Sequence, residues 1–171
     1  IVASIDAMDL AVLPACFREI KSAFGIDQSA LGVLLFSRGI SQALSAGIGG
    51  ALGQRFARPL VLCCGCWTWG VGTLCVGLSP SYGAMLAAVA LNGVGLGVIK
   101  PVIVSLIADL APPGRVGRTF SVYDCVASVS TILGATVATV VAPLRIPFAP
   151  QLGECWRLIF AVLALVAALL G

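Results

Sequence analysis

Long apolar stretches separated by short polar breaks run the length of this chain. A helix that crosses a bilayer needs about 20 mostly apolar residues. Six stretches approach or exceed that length: 1–23, 29–53, 59–78, 82–110, 117–142 and 156–171. Asp6, Asp9 and Pro14 interrupt the first, and the last is cut off at Gly171. None alternates apolar and polar residues at period two, which excludes the strands of a membrane barrel. Backbone polar groups in lipid must bond within their own segment, so continuously apolar stretches of this length read as helices. The pattern predicts an all-α membrane protein, a six-transmembrane-helix bundle forming one unit over 1–171, with helices one and six incomplete.

The breaks carry turn chemistry. Asp27, Gln28 and Ser29 offer N-cap side chains ahead of the second helix. Ser79-Pro80-Ser81 makes a minimal hairpin, and Pro112-Pro113-Gly114 ends the fourth helix. Pro143, Pro147 and Pro150 mark an irregular loop before the sixth. Short connections make neighbouring helices antiparallel. Small residues then mark close approaches in lipid: Ser45, Ala46, Gly47, Gly49 and Gly50 on helix two, and the Gly93/Gly97 pair on helix four.

Composition agrees with a bilayer as solvent. Hydrophobic residues make up 60% of the chain and charged ones only 10%, where soluble domains carry about 25%. Mean hydropathy is +1.10. The net charge of +3 is scattered, so a basic face for nucleic acid is absent. The chain has seven cysteines and no histidine; Cys63-Cys64-Gly65-Cys66 lacks a second ligand pair, and these thiols read as small apolar packing groups. The sequence implies neither a metal nor a cofactor. Both ends fall inside apolar segments, the pattern expected of a piece of a larger protein.

Charges inside the spans carry the chemistry. Each costs at least about 2.5–3.5 kcal/mol at membrane depth, so each needs a partner or a polar cavity. Asp6 and Asp9 share one face of helix one, three residues apart. Arg38 lies on helix two, Asn92 and Lys100 on one face of helix four, and Asp124 on helix five. Acids on helices one and five are placed to pair with bases on two and four. Two readings stay open: structural ion pairs that fix helix register, or a polar route for substrate or ion. The cost of burial favours the route for Asp6, Asp9 and Lys100, leaves Arg38 even, and leaves Asp124, nearer an end, as a structural group. Lysine plus arginine divides evenly between the two sides, with Arg55, Arg58, Arg115 and Arg118 against Arg18, Lys21, Arg145 and Arg157. The positive-inside rule therefore sets no orientation.

The segment from Gly50 to Leu60 resembles the loop signature of the major facilitator superfamily, roughly G-x-L-a-D-r-x-G-r-r. Gly50, Leu52, Arg55 and Arg58 match; Gln54 stands for the acid and Ala57 for the second glycine. Asn92-Gly93-Val94-Gly95 resembles the superfamily's R-x-x-x-G-x-G, with Val89 for its arginine. The run from Ser105 through Asp109 to Pro113, with Arg118, is similar to the end of that helix, and Cys155-Trp156-Arg157 with Phe160 to the opening of helix six. Within the superfamily the likeness is to Spinster-like carriers and to an uncharacterised plant and algal group.

That resemblance implies the N-terminal half of a twelve-helix secondary transporter working by alternating access. It places the loops around Arg55 and Arg118 in the cytosol. There Gly50, Gln54, Arg55, Arg58, Asp109 and Arg118 form a gate region, and Gln54 lacks the charge of the usual latch. The partners implied are a small organic or lipid-like solute, coupling protons, the bilayer and a C-terminal half. Lys100 and Arg38 suit an anionic group, and Asp6 and Asp9 suit protons. The proton-antiporter motif expected in helix five is not evident in Gly134-Ala135-Thr136-Val137-Ala138. A non-transporting membrane assembly or sensor protein on the same fold is the alternative, and an enzyme is disfavoured because no nucleophile–base pair exists.

Overall fold

A computed structural model describes residues 2–112, 114–144 and 155–170. Its seven helices are α1 (Val2–Ala15), α2 (Phe17–Phe24), α3 (Gln28–Arg55), α4 (Arg58–Leu78), α5 (Tyr82–Leu110), α6 (Val116–Val141) and α7 (Cys155–Leu170). No strand occurs among the described residues. Arg145, Pro147, Pro150 and Pro113 lie outside them. Four helices, α3 to α6, are long and apolar enough to cross a membrane.

The first expected helix is two helices. Pro14 sits in the last turn of α1, where its ring lacks an N–H and crowds the carbonyl four residues back. Cys16 then adopts φ −90° and ψ 6°, and α2 follows as a short amphipathic helix. Ile20 turns inward while Arg18 and Lys21 face out. Gly25 closes α2 in the left-handed conformation, φ 61°, which side chains disfavour.

The remaining boundaries follow local chemistry. Asp27 precedes α3 in extended conformation; the Gln28 backbone N–H and the Ser29 hydroxyl, donating at 3.2 Å, hold its carboxyl below the usual carboxylate range. Phe56 and Ala57 alone separate α3 from α4. Ser81 caps α5 by accepting from the Ala84 N–H at 3.3 Å, an N-cap bond to the third helical residue.

α5 is the spine of the bundle, packed along α3 on one side and α4 on the other, with α7 against the far side of α4. α1 and α6 form a second close pair that meets this slab through few contacts. Glycines set the approaches. A Cβ at Gly93 would stand 2.5 Å from the Arg38 carbonyl oxygen, and one at Gly49 2.6 Å from Val98 Cα. At Gly97 it would collide with Ser45 Oγ and the Gln42 carbonyl. The small faces expected on helices two and four are thus in contact, although Gly47 meets nothing within 4 Å. Gly134 of α6 rides against Met8 of α1, a Cβ there standing 2.9 Å from Met8 Cα.

The outer surface is apolar. Leu44 is 71% exposed, Ile132 65% and Val140 61%. Large aliphatic groups facing outward along whole helices make sense against acyl chains and not against water. Inside, Trp69, Leu34, Met85, Leu96 and Trp156 are fully buried.

Candidate functional site

The two acids of α1 lie one turn apart and meet different surroundings. Asp9 is 1% exposed and belongs to a closed polar cluster. Arg38 Nη2 donates to Asp9 Oδ2 at 2.5 Å, and Nη1 to the Asp9 carbonyl at 3.4 Å. Trp69 Nε1 and Asn92 Nδ2 donate to the same carboxylate oxygen at 3.2 and 3.3 Å. Asn92 Nδ2 also donates to Thr73 Oγ1 at 2.9 Å, and that hydroxyl donates to the Trp69 carbonyl at 2.8 Å. The chain of donors fixes each group. With the Thr73 proton committed to Trp69, its oxygen accepts, so Asn92 presents its amide nitrogen there. Four helices contribute, α1, α3, α4 and α5, and Asp9, Arg38, Thr73 and Asn92 are each under 5% exposed. Ion pairing and donated hydrogen bonds are what permit charge at this depth. Asp9 Oδ1, Arg38 Nε and Asn92 Oδ1 take no partner among the described residues.

Asp6 opens instead on a pocket of about 290 Å³ between α1, α5 and α6. Lys100 Nζ stands 3.8 Å from Asp6 Oδ2, the long end of ion pairing, and Asp6 Oδ1 is buried without a partner among the described residues. Tyr123, Asp124, Ser128 and Thr131 of α6 complete the polar lining, with Ala7, Leu10 and Ala127 as its apolar part. Thr131 is committed to the carbonyls of Ala7 and Ala127 at 3.3 and 2.9 Å. Asp124 has no ion pair or hydrogen bond among the described residues. It follows the start of α6 by eight residues, and Lys100 precedes the end of α5 by ten, about 12 and 15 Å along the helix axes.

The structure therefore divides the sequence candidates. It brings Asp9, Arg38 and Asn92 into one sealed cluster, and Asp6, Lys100 and Asp124 to one pocket. Asn92 and Lys100 share α5, yet each serves a different site. Trp69 and Thr73 were missed by sequence reasoning, since a tryptophan and a threonine in an apolar helix give no charge signal; their four-residue spacing was the only clue. In the loop region, Arg58 Nη1 pairs with Asp109 Oδ2 and joins α4 to the end of α5. Gln54, Arg55 and Arg118 are exposed and Gly50 half-buried, without an ion pair among the described residues.

A second cation works at the opposite end of α4. Arg157 Nη1 donates to the carbonyls of Gly77 and Ser79, both at 2.9 Å. Its guanidinium lies 4.5 Å from the Trp156 ring centre and 5.9 Å from that of Phe24. A cation at a helix C-terminus satisfies carbonyls that lack an internal donor.

A multi-pass membrane bundle with a buried charge cluster and a polar intramembrane pocket is the class these features define. The chain belongs to the Major Facilitator Superfamily, whose family model matches residues 1–171. Quinolone resistance protein NorA of Staphylococcus aureus (strain Mu50 / ATCC 700699) is 24% identical over 139 residues, 80% of this chain and 35% of that protein. The 3-(3-hydroxy-phenyl)propionate transporter of Escherichia coli (strain K12) is 28% identical over 138 residues, 80% of this chain and 34% of that one. Among solved structures, an inward-facing, occupied bacterial homolog of the human lysosomal transporter Spinster superposes with a TM-score of 0.84 at 19% identity, covering 99% of this chain and 40% of the other. The inward-open xylose transporter XylE from E. coli gives 0.76 at 21% identity, covering 99% and 46%. The chain thus spans about a third of the curated relatives.

Proposed function

We propose that residues 1–171 are the N-terminal half of a secondary transporter that moves a small organic or amphipathic solute by alternating access. The observation that carries this is the pocket holding Asp6, Lys100 and Asp124. A loosely paired, partly open set of charges at membrane depth is costly, and a solute path accounts for it. A purely structural pair would be closed, as Asp9 and Arg38 are. The Arg58–Asp109 pair ties the start of α4 to the end of α5, where the gate of the resemblance lies. Both loops then face the cytosol, and the second half packs against this one.

The test is uptake by the full-length protein in vesicles, screened over organic cations, organic anions and sugars. A solute moved by wild type and lost in Lys100→Ala, with that variant still inserted in the membrane, supports the reading. Wild-type uptake rates in Lys100→Ala would sink it.

A further inference from the structure

Three side-chain atoms of the sealed cluster are left over once its hydrogen bonds are drawn. Asp9 Oδ1, Arg38 Nε and Asn92 Oδ1 are buried and take no partner among the described residues. Their residues are 1%, 4% and 4% exposed, and polar groups at such depth are almost always satisfied. The three belong to one place. Asp9 Oδ1 shares its carboxylate with Oδ2, which accepts from Arg38 Nη2 at 2.5 Å and from Asn92 Nδ2 at 3.3 Å. Arg38 Nε and Asn92 Oδ1 lie in the same planar groups as those two donors. Each leftover atom is thus a single guanidinium, amide or carboxylate away from the same oxygen. Asp6 Oδ1 is a fourth buried atom of this kind, but Asp6 lines the neighbouring pocket and pairs with Lys100.

We propose that the cluster binds one water molecule, which donates to Asp9 Oδ1 and Asn92 Oδ1 and accepts from Arg38 Nε. The chemistry of the three atoms selects it. A carboxylate oxygen and an amide oxygen accept, and a guanidinium nitrogen only donates. The occupant must therefore supply two donors and a lone pair, which is the complement of water, and buried waters typically make about three such bonds. A metal ion has no lone pair to offer Arg38 Nε and would face the guanidinium charge. An ammonium ion has donors alone, and a halide would meet two acceptor oxygens. Asp9 and Arg38 already balance each other at 2.5 Å, so any ion would add an uncompensated buried charge, whereas a neutral occupant adds none. The amide orientation that leaves Asn92 Oδ1 free follows from Thr73, whose own proton goes to the Trp69 carbonyl at 2.8 Å. The water joins α1, α3 and α5 near the crossing where Gly93 lies under the Arg38 carbonyl. It is a resident part of the cluster and lies off the solute path of Asp6 and Lys100.

The experiment is hydroxyl-radical footprinting of the purified full-length protein with X-ray pulses, read by mass spectrometry. Radicals born from a bound water oxidise the side chains beside it, even where bulk solvent does not reach. Trp69 and Met85 are both 0% exposed, and both side chains oxidise readily. Trp69 donates to Asp9 at 3.2 Å, while Met85 lies in an apolar cluster. Trp69 is expected to be modified severalfold faster than Met85. Asn92→Leu keeps the shape of the side chain but removes one of the three partners of the water. Labelling of Trp69 should then fall severalfold, with Met85 unchanged. Unfolding would expose Trp69 and raise its labelling, so that fall cannot come from a misfolded variant; if Asn92→Leu does not fold, the wild-type comparison of Trp69 with Met85 decides alone. Trp69 modified no faster than Met85 would overturn the bound water, and a protonated Asp9 bonded directly to Asn92 Oδ1 would give that result. Trp69 labelling undiminished in folded Asn92→Leu would overturn it too, since the oxidising water would then be bulk solvent entering from the pocket. This site does not depend on the solute path, so failure of every uptake assay bears on the transport reading alone.

Discussion

Arg38 holds Asp9 at two points, its carboxylate at 2.5 Å and its backbone carbonyl at 3.4 Å. The pair joins α1 to α3, which otherwise barely touch, and sits where the Arg38 carbonyl of α3 passes over Gly93 of α5. Position and charge are therefore set together.

Arg38→Ala should destabilise the bundle by about 3–5 kcal/mol, because Asp9 is left charged and unpaired in a sealed site. Thermal unfolding in detergent would show it. Arg38→Met with Asp9→Leu should cost clearly less than the single change, since both charges leave together. Equal losses in the two would refute an electrostatic role.

Thr73→Val should cost about 1–3 kcal/mol, the penalty of leaving the Asn92 amide without its 2.9 Å acceptor. Thr73→Ser keeps the hydroxyl and should stay near wild type in the same unfolding assay.

Gly97→Leu should prevent correct assembly, since the side chain would enter the α3 backbone near Gln42 and Ser45. Overpacking of this kind costs about 1–3 kcal/mol even in yielding cores, and here backbone must move. Gly47→Ala, with nothing within 4 Å of the added methyl, should leave the melting temperature unchanged. Gel filtration of detergent-extracted protein separates the two outcomes.

Asp109→Asn should change stability by no more than about 1 kcal/mol, as exposed ion pairs do. Its effect should fall on function: vesicle uptake drops, and the charge swap Arg58→Asp/Asp109→Arg recovers part of it. Uptake untouched by Asp109→Asn would remove the pair from the gate.

Spans and breaks were legible because the bilayer forces them. A continuous apolar run has no alternative to a helix, and Ser79-Pro80-Ser81 has no alternative to a turn. The break at Cys16 was less legible: Pro14 was seen, but a proline can kink a helix or end it, and packing of Ile20 against the core decides. Charges inside the spans announced themselves by cost, yet their grouping did not follow from spacing. Asp6 and Asp9 share a face in sequence, and only the crossing of α3 and α5 sends one to Arg38 and the other toward Lys100. Asp124 read as a residue near an end, and the helix start at Val116 lies one residue from the expected one; what spacing could not give is that Asp124 lines one pocket with Asp6 and Lys100.

The glycine-stitched slab of α3, α5, α4 and α7 and the lightly attached pair of α1 and α6 differ in stiffness. Backbones that touch cannot slide without collision, so the slab should move as a rigid plate. The seam beside it holds the pocket of Asp6, Lys100 and Asp124, crossed by the donors of Arg38, Trp69 and Asn92 to Asp9 and by the longer Lys100–Asp6 pair. Elastic strain from a change of shape should therefore concentrate at that seam, and the solute proposed for this pocket would sit where the least work is needed to widen or narrow the molecule.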